Sequence, residues 1–542
     1  MTAVDERYWL KKYPEGVRPA LDYPDVTMPD LLEKAAGQMP DRTAIAFSGI
    51  ELSYQTVLGM VYKAATFLND LGVKKGDRVA LMTPNCPQYI VAFFAIQKIG
   101  AVVVQVNPMY VERELDHILN DSGAKVMIAY DQFYPRIKNV REVTPLEKVL
   151  LFSLGPALDV AGEDVLKVES LLASTPAHPP TVSIDACNDL AVLQYTGGTT
   201  GVSKGAMLTH RNIVTNALQV TEWFKGCQYG EEKVLCVLPF FHAYGMTTCI
   251  NFGIANAATL IVLPRFDLEG VMQAIDKYQP TLFPGVPTMY IGVVNYPDID
   301  RINVKSIKYC ISGSAPLPVE VAQRFEELTG GCLVEGFGLS ETSPVSHCNP
   351  MIGVRKVGSI GLPVSDTLCK IVDLETGEKT LLPGEVGELC ISGPQVMKGY
   401  WNMPEETGKT LKDGWIYTGD IARMDEDGYF FIVDRKKDMI IAGGFNVYPR
   451  DVEEVLFEHP KVLEAVVAGV PDAYRGETVK AFVVLKEGEQ ATEEEIISYC
   501  KNKLAAYKVP RAVEFRKELP KTAVGKVLRR FLRDEEIKKQ KG

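Results

Sequence analysis

The chain has no C-x-x-C pair; its eleven cysteines are scattered between Cys86 and Cys500. That scatter excludes the common zinc ribbons and dithiol redox motifs. The N-terminus shows no leader pattern, so reduced thiols and a cytoplasmic location are the expectation. No apolar run is clean enough to be a membrane span. The longest, Tyr89–Val106 and Met246–Leu263, are broken by Gln97-Lys98-Ile99-Gly100 and by Asn251, Gly253 and Asn256. They read as helix-then-strand units of a core. There is no basic excess either. A net charge of −11 argues against a protein-wide nucleic-acid footprint. One local exception, Lys526 to Lys541, carries seven Lys/Arg against three acidic residues. It reads as a solvated helix end or as a contact for an anionic partner. Internal repeats and low-complexity tracts are absent, and the terminal Lys-Gln-Lys-Gly is not a peroxisomal address.

What is present is a globular composition. The 542 residues are 46% apolar and 23% charged, enough for several cores. Apolar strand candidates alternate with amphipathic helices from about residue 40 to 340. Among them are Thr43–Phe47, Arg78–Met82, Ala101–Gln105, Lys125–Tyr130, Thr259–Leu263 and Ile307–Ile311. Such alternation predicts parallel sheets covered by helices. From about 355 to 434 short strands and Gly/Pro/Asp turns take over, predicting an antiparallel or barrel-like subdomain.

One hairpin there can be placed. Trp415–Met424 and Tyr429–Asp434 flank the turn Asp425-Glu-Asp-Gly428. If Met424 pairs with Tyr429, Asp420 lies opposite Val433 and diagonal to Arg435. The run Arg435-Lys-Lys-Asp438 that follows reads equally as a hinge or as a solvated turn. Beyond it come a helix Pro449–Glu458, strands Ala465–Ala468 and Val479–Leu485, and a helix Glu493–Leu504. The predicted fold class is therefore α/β. A large N-terminal domain (1–434) of helix-covered, mainly parallel sheets carries a small β subdomain at about 355–434. Residues 435–437 connect it to a small α+β C-terminal domain, 438–542.

The chemistry is concentrated in Tyr195-Thr-Gly-Gly-Thr-Thr-Gly-Val-Ser-Lys-Gly205. An apolar strand, Leu190–Tyr195, leads into it, and another apolar run, Ala206–Leu208, follows. Glycines expose backbone N–H groups, so such a loop can cradle phosphate oxygens. Thr196, Thr199, Thr200 and Ser203 add hydroxyls, and Lys204 adds charge. It is not a Walker A loop, because Val202 and Ser203 stand where the second glycine would be. The bland alternative is a flexible surface loop.

Four more stretches join it in register: Glu335-Gly-Phe-Gly-Leu-Ser-Glu341, Tyr417-Thr-Gly-Asp420, Asp434-Arg-Lys-Lys-Asp438 and Leu519-Pro-Lys-Thr-Ala-Val-Gly-Lys526. Together they resemble the adenylate-forming superfamily of acyl-CoA synthetases, luciferases and peptide-synthetase adenylation domains. The resemblance covers essentially the whole chain. Leu238-Pro-Phe-Phe-His242, Gly393-Pro-Gln-Val-Met-Lys-Gly-Tyr-Trp401 and Ile441-Ala-Gly-Gly-Phe-Asn446 are similar to phrases of bacterial long-chain fatty-acid–CoA ligases.

The resemblance implies two half-reactions, with ATP, Mg²⁺ and coenzyme A beside a fatty acid. A carboxylate attacks the α-phosphate of ATP to give acyl-adenylate; the thiol of coenzyme A then displaces AMP. By the same resemblance Thr196, Gly197, Gly198, Thr199, Thr200, Gly201, Ser203 and Lys204 wrap the phosphates. Glu341 holds magnesium with an oxygen from Thr196. Gly313, Ser314 and Ala315, with Glu335, Gly336, Phe337, Gly338 and Ser340, line the nucleotide. Phe337 and Ser340 stand where Tyr and Thr are frequent. Asp420 and Arg435 take the ribose, Lys526 meets the α-phosphate, and Lys437 occupies the hinge of a mobile C-terminal domain. Gly443, Gly444 and Phe445 line the coenzyme A channel, unless the glycine pair is a strand bulge. His242, Met246, Gly253 and Gly285 line the acyl pocket, although His242 also reads as a buried structural histidine. An aryl, hydroxycinnamoyl or medium-chain ligase would share this machinery, and a non-catalytic fatty-acid-binding protein is the remote alternative. Peripheral membrane contact and a homodimer stay open.

Overall fold

The computed structural model describes residues 7–160, 165–196, 203–315, 317–442, 445–472, 476–522 and 527–541. It divides into two compact units. One comprises Lys12–Leu368 with Ser392–Ile416; the other comprises the described parts of Met1–Lys11, Cys369–Ile391 and Tyr417–Gly542.

The larger unit is built on a seven-stranded sheet. Its order is Val165–Lys167, Lys148–Phe152, Val126–Tyr130, Arg78–Met82, Val102–Gln105, Leu190–Thr196 and Lys204–Thr209. Every neighbouring pair is parallel except the last, which is antiparallel. The apolar runs behave as buried parallel strands should. Val102–Gln105 is buried at all four positions, and Ala80, Met82, Val104, Met127, Val149 and Leu193 share one core. The first long apolar stretch divides as expected, into helix Pro87–Lys98 and strand Val102–Gln105. The second divides into helical turns Ala243–Ala255 and strand Thr259–Val262.

A second sheet orders Lys233–Cys236, Thr259–Val262, Thr43–Phe47 and Ile50–Ser53. A third orders Tyr309–Ser312, Cys332–Gly338, Val345–Cys348 and Leu362–Pro363, and turns from parallel to antiparallel after its first pair. The bridges Val234↔Leu282, Leu282↔Tyr309 and Gly285↔Ser312 join the second sheet to the third. No helix among the described residues is long and apolar enough to cross a membrane.

In the other unit, Trp415–Met424 and Phe430–Arg435 form the expected hairpin beside Val386–Ser392 and Leu368–Val372. A separate sheet pairs Val462–Asp472 with Gly476–Leu485 along their length. Adjacent residues serve opposite faces, as a two-residue period requires. Val467 and Val483 join Val452, Leu456 and Ile496 on one side. Val466 and Phe482 join Leu519 and Leu532 on the other.

Asp434, at the end of the hairpin, is tied to the segment that follows it. A partly buried charge cluster makes the tie. The Arg529 guanidinium lies 3.0 Å from Asp438, 2.7 Å from Glu453 and 3.8 Å from Asp434. Asp434 also accepts the Arg450 backbone N–H at 3.0 Å. Burial raises the Asp434 carboxyl to about 6, against the pull of Arg529. Removing the one cation would leave the buried Asp434 carboxylate with backbone N–H donors alone and take an ion partner from half-buried Asp438 and Glu453, a loss below the roughly 3–5 kcal/mol of a fully buried pair. Arg529→Met should therefore lower the melting temperature by several degrees, with Arg529→Lys between it and wild type. A thermal melt in which the Met variant matches wild type would contradict this account.

Candidate nucleotide site

The strand Leu190–Thr196 and its antiparallel partner Lys204–Thr209 bring Thr196 opposite Lys204. The ladder thus fixes the two residues that flank the loop. Gly197, Gly198, Thr199, Thr200 and Gly201 lie outside the described residues. Ser203 Oγ donates to the Thr196 carbonyl at 2.6 Å, and His117 Nε2 meets the Ser203 carbonyl at 2.8 Å. Gly205 is needed for close approach: a Cβ there would sit 3.1 Å from the Tyr195 ring. After Thr209 the chain turns into helix His210–Trp223, capped by the Thr209 hydroxyl on the Asn212 N–H at 3.2 Å.

A segment of the Gly393–Trp401 phrase continues this edge. Lys398 N donates to Met207 O at 2.9 Å, Met207 N to Gly399 O at 2.9 Å, and Trp401 N to Gly205 O at 2.8 Å. This zipper places Tyr400. Its hydroxyl donates to Glu341 Oε1 at 2.7 Å, and its ring lies 5.1 Å from Lys204 Nζ. Lys204 is ion-paired with Glu406 at 2.6 Å. Burial, then the Glu341 charge and hydrogen bond, hold the Tyr400 hydroxyl well above its usual range. Tyr400 and Glu406 were not singled out from the sequence. The only signal was the phrase around Tyr400, which had no chemistry attached.

Glu341 sits in a short turn, Ser340–Thr342, directly after strand Cys332–Gly338. Its carbonyl accepts the Met397 N–H at 2.8 Å. The strand ending at Thr196 packs against this turn. Among the described residues no group of three or more His, Cys, Asp or Glu could hold a metal alone. One carboxylate suits Mg²⁺, which binds through one or two carboxylates plus phosphate oxygens.

Gly313, Ser314 and Ala315 follow strand Tyr309–Ser312, with Ser314 at φ +71°. Tyr244 anchors this loop. Its ring lies where a Gly313 Cβ would meet it at 3.2 Å, and its hydroxyl donates to Ile311 O at 2.7 Å and Gly285 O at 3.1 Å. His242 caps the turn bearing Tyr244, accepting the Tyr244 N–H on Nδ1 at 3.2 Å. The structure thus links His242, Gly285 and Gly313 through one tyrosine that sequence reading missed. Met246 is buried, with Gln105 Nε2 3.6 Å from its sulfur. Gly253 does not join this group: its open side is filled by Leu260, with Val234 beyond, so it lets a helix pack close on the second sheet. Glu335 pairs with Ser312 in the ladder, Gly336 packs on Ile311, and Phe337 lies edge-on to His347 with ring centroids 6.0 Å apart.

In the other unit Asp420 and Arg435 meet, but not diagonally. Asp420 pairs directly with Arg435, and Met424 with Phe430 rather than Tyr429. The turn is one residue longer than the sequence suggests, because Asp425 folds back to accept the Asp427 and Tyr429 N–H groups. A bulge between Ile421 and Ala422 then moves the register by one more residue. Arg435 Nε is 3.2 Å from Asp420 Oδ1, while the buried Oδ2 has no hydrogen-bond partner. Thr418, Gly419, Asp420, Arg435, Lys436 and Lys437 line a cavity of about 250 Å³. Glu388 braces it, accepting Gly419 N–H at 3.0 Å and Lys436 Nζ at 2.9 Å. An orphan carboxylate oxygen beside a guanidinium suits a ligand with hydroxyl donors. Gly443, Gly444 and Lys526 lie outside the described residues; Phe445 pairs with Ala442.

Thr196 paired with Lys204 and Glu341 bound by Tyr400 in one unit, and an Asp–Arg pair beside a cavity in the other, suit a nucleotide-binding enzyme. Residues 32–401 match the family described as AMP-binding enzyme, and 451–526 match the AMP-binding enzyme C-terminal domain. The chain belongs to the AMP-binding enzyme family. It is 48% identical to a long-chain-fatty-acid–CoA ligase of Bacillus subtilis (strain 168), covering 98% of each chain. It is 42% identical to the enzyme of that name from Salmonella typhimurium, again over 98% of each. Among solved structures, that of the anthranilate CoA ligase AuaEII with anthranoyl-AMP matches with TM-score 0.86 at 29% identity, covering 95% of this chain and 97% of that one.

Two buried histidines give the larger unit a pH dependence. Burial lowers His347 to about 3 and His210 to about 4. Both stay neutral when folded but take up protons near pH 6.5 when unfolded. Their stabilisation is complete above pH 6.5 and is lost as pH falls toward 4. Each contributes a slope of about 1.4 kcal/mol per pH unit. Denaturation midpoints should fall between pH 6.5 and 5, and His347→Gln should make that fall shallower. A variant slope equal to wild type would count against this assignment.

Proposed function

We propose that this protein is a fatty-acid–CoA ligase that activates a long-chain acid in two steps. The observation that carries this reading is near full-length likeness to curated long-chain ligases, together with the residues those steps require. The acid's carboxylate attacks the α-phosphate of ATP and pyrophosphate leaves. The thiol of coenzyme A then attacks the acyl carbon and AMP leaves. A carboxylate oxygen is a poor leaving group and AMP is a good one, which is why the chain must handle a nucleotide.

In this reading Lys204 and the hydroxyls of Thr196 and Ser203 hold the pyrophosphate end. Glu341 and Thr196 would hold Mg²⁺, which supplies charge neutralisation on the phosphates. Asp420 accepts the ribose hydroxyls on its unpartnered oxygen, with Arg435 fixing the carboxylate. Phe337 offers a face to adenine. His242 lies beside the acyl carboxylate, and Met246 with Gly285 borders the chain. Lys526 neutralises charge developing at the α-phosphate. Lys526 is carried by a C-terminal domain that closes for the first step, with Lys437 as the pivot. Gly443, Gly444 and Phe445 then admit the thiol arm. All eleven cysteines are free, and eight are buried, which suits a reducing cytoplasm. Peripheral contact with a bilayer and a homodimer belong to the same reading, to be checked by liposome flotation and sedimentation.

ATP-dependent acyl-CoA formation should rise with chain length across a saturated series. Flat turnover from hexanoate to stearate, or faster turnover of benzoate or coumarate, would replace the long-chain reading with a medium-chain or aryl one. Lys526→Ala should reduce acyl-adenylate formation about 10²–10³-fold, the effect of removing one transition-state donor. Thioester formation from pre-formed acyl-adenylate should change far less. Equal losses in both half-reactions would refute the role given to Lys526.

A further inference from the structure

Lys204 already has a partner where phosphate is expected to bind. Its ammonium is 2.6 Å from Glu406 Oε2, and the other Glu406 oxygen lies 2.8 Å from Lys409 Nζ. Glu406 stands in the short helix Pro404–Thr410. The zipper that carries Tyr400 also fixes this helix. Tyr400 N–H donates to Thr407 Oγ1 at 2.9 Å, and a Cβ on Gly399 would meet Thr407 Cγ2 at 2.7 Å. Backbone contacts to the Lys204 strand therefore set the position of Glu406. Lys204 first, and Lys409 second, pull its carboxyl down to about 2. The carboxylate is ionised at any working pH and is shared between two cations.

We propose that Glu406 is a positioning residue that holds Lys204 as a resident counter-ion in the nucleotide-free protein and competes with polyphosphate for it. The proposal rests on the reading that Lys204 meets the phosphates of ATP. Polyphosphate carries more charge than one carboxylate, so it takes the lysine, and Glu406 then leans on Lys409. When pyrophosphate must leave, Glu406 is there to reclaim Lys204 without exposing a bare cation. The ion pair is partly exposed, with Lys204 at 20% and Glu406 at 36%. Its strength is thus modest, as suits a contact that must exchange. Lys409 tunes it: the more firmly Lys409 holds Glu406, the more freely Lys204 meets phosphate.

Equilibrium binding of magnesium pyrophosphate to the full-length protein, by calorimetry without acyl substrate, tests this directly. Glu406→Gln should tighten binding about two- to fivefold, the range a partly exposed ion pair gives. Lys409→Met should weaken it, because Glu406 then holds Lys204 alone. In the Glu406→Gln background the Lys409→Met change should have little effect, since the competition it modulates is gone. Unaltered or weaker binding by Glu406→Gln would overturn the proposal. So would a Lys409→Met loss of equal size in both backgrounds, which is plain charge removal. The measurement needs no fatty acid, so a wrong acyl assignment leaves it intact. Failure of wild type to bind pyrophosphate at all would sink the role of Lys204 and this proposal with it.

Discussion

The surroundings of Lys204 depend on one set of backbone hydrogen bonds, those tying Lys398–Trp401 to the strand Lys204–Thr209. A lysine and a glutamate more than a hundred residues apart in sequence need a common frame. The zipper supplies it: Tyr400 emerges beside Lys204 and reaches Glu341, and the next turn delivers Glu406. Side chains as long as lysine and glutamate lose much rotamer freedom when fixed, so their geometry has to come from the backbone. Tyr195 locks the same frame from behind. Its hydroxyl binds the Asp121 carboxylate at 2.6 Å, while the Trp401 indole binds the Asp121 carbonyl at 3.0 Å.

Several other described polar groups follow the same rule, that a charge has a protein partner before any ligand arrives. Glu341 accepts from Tyr400, Asp420 from Arg435, and Glu388 holds Lys436 while bracing Gly419. An unpaired ion at such depth would be expensive to bury. Asp420 Oδ2 is the exception, an acceptor left without a donor beside a cavity. Pre-paired groups and one open acceptor make an arrangement that is stable when empty yet directional when filled.

Much of this was legible in the sequence, and the parts that were not have physical reasons. Thr43–Phe47 and Arg78–Met82 appear at the expected bounds, because continuous β-branched and aliphatic runs have no competing helical reading over five residues. The second long strand of the C-terminal sheet was seen only in part. Val479–Leu485 extends back to Gly476, and Ala465–Ala468 extends to Val462–Asp472. Pairing along the whole hairpin overrides the weak propensity of its glycines and proline. The Asp420–Arg435 pairing was right in kind and wrong in register, since a bulge leaves no local mark. Tyr400, Tyr244 and Glu406 were invisible for a different reason: their roles are contacts across long sequence distances, and nothing in a tyrosine's immediate neighbours reports which carboxylate or carbonyl it will meet.

That difference says where function was encoded. The glycine loop was singled out by its own residue types, Asp420 by its hairpin placement together with the family resemblance, and Glu341 by the resemblance alone. The residues that orient them were not, because many side chains could orient and only the fold selects which. Tyr244 illustrates the point. One phenol binds the carbonyls of Ile311 and Gly285 and packs on Gly313, so it fixes the nucleotide-side loop and the His242 turn together. A phenylalanine would keep the packing but remove this donor; Ile311 O keeps Gly285 N–H and the Tyr290 hydroxyl and Gly285 O keeps Gly313 N–H, so the cost is that of one hydrogen bond, about 0.5–1.5 kcal/mol. Ring and hydroxyl together therefore tie the Gly285, Ile311 and Gly313 segments to the His242 turn within the larger unit.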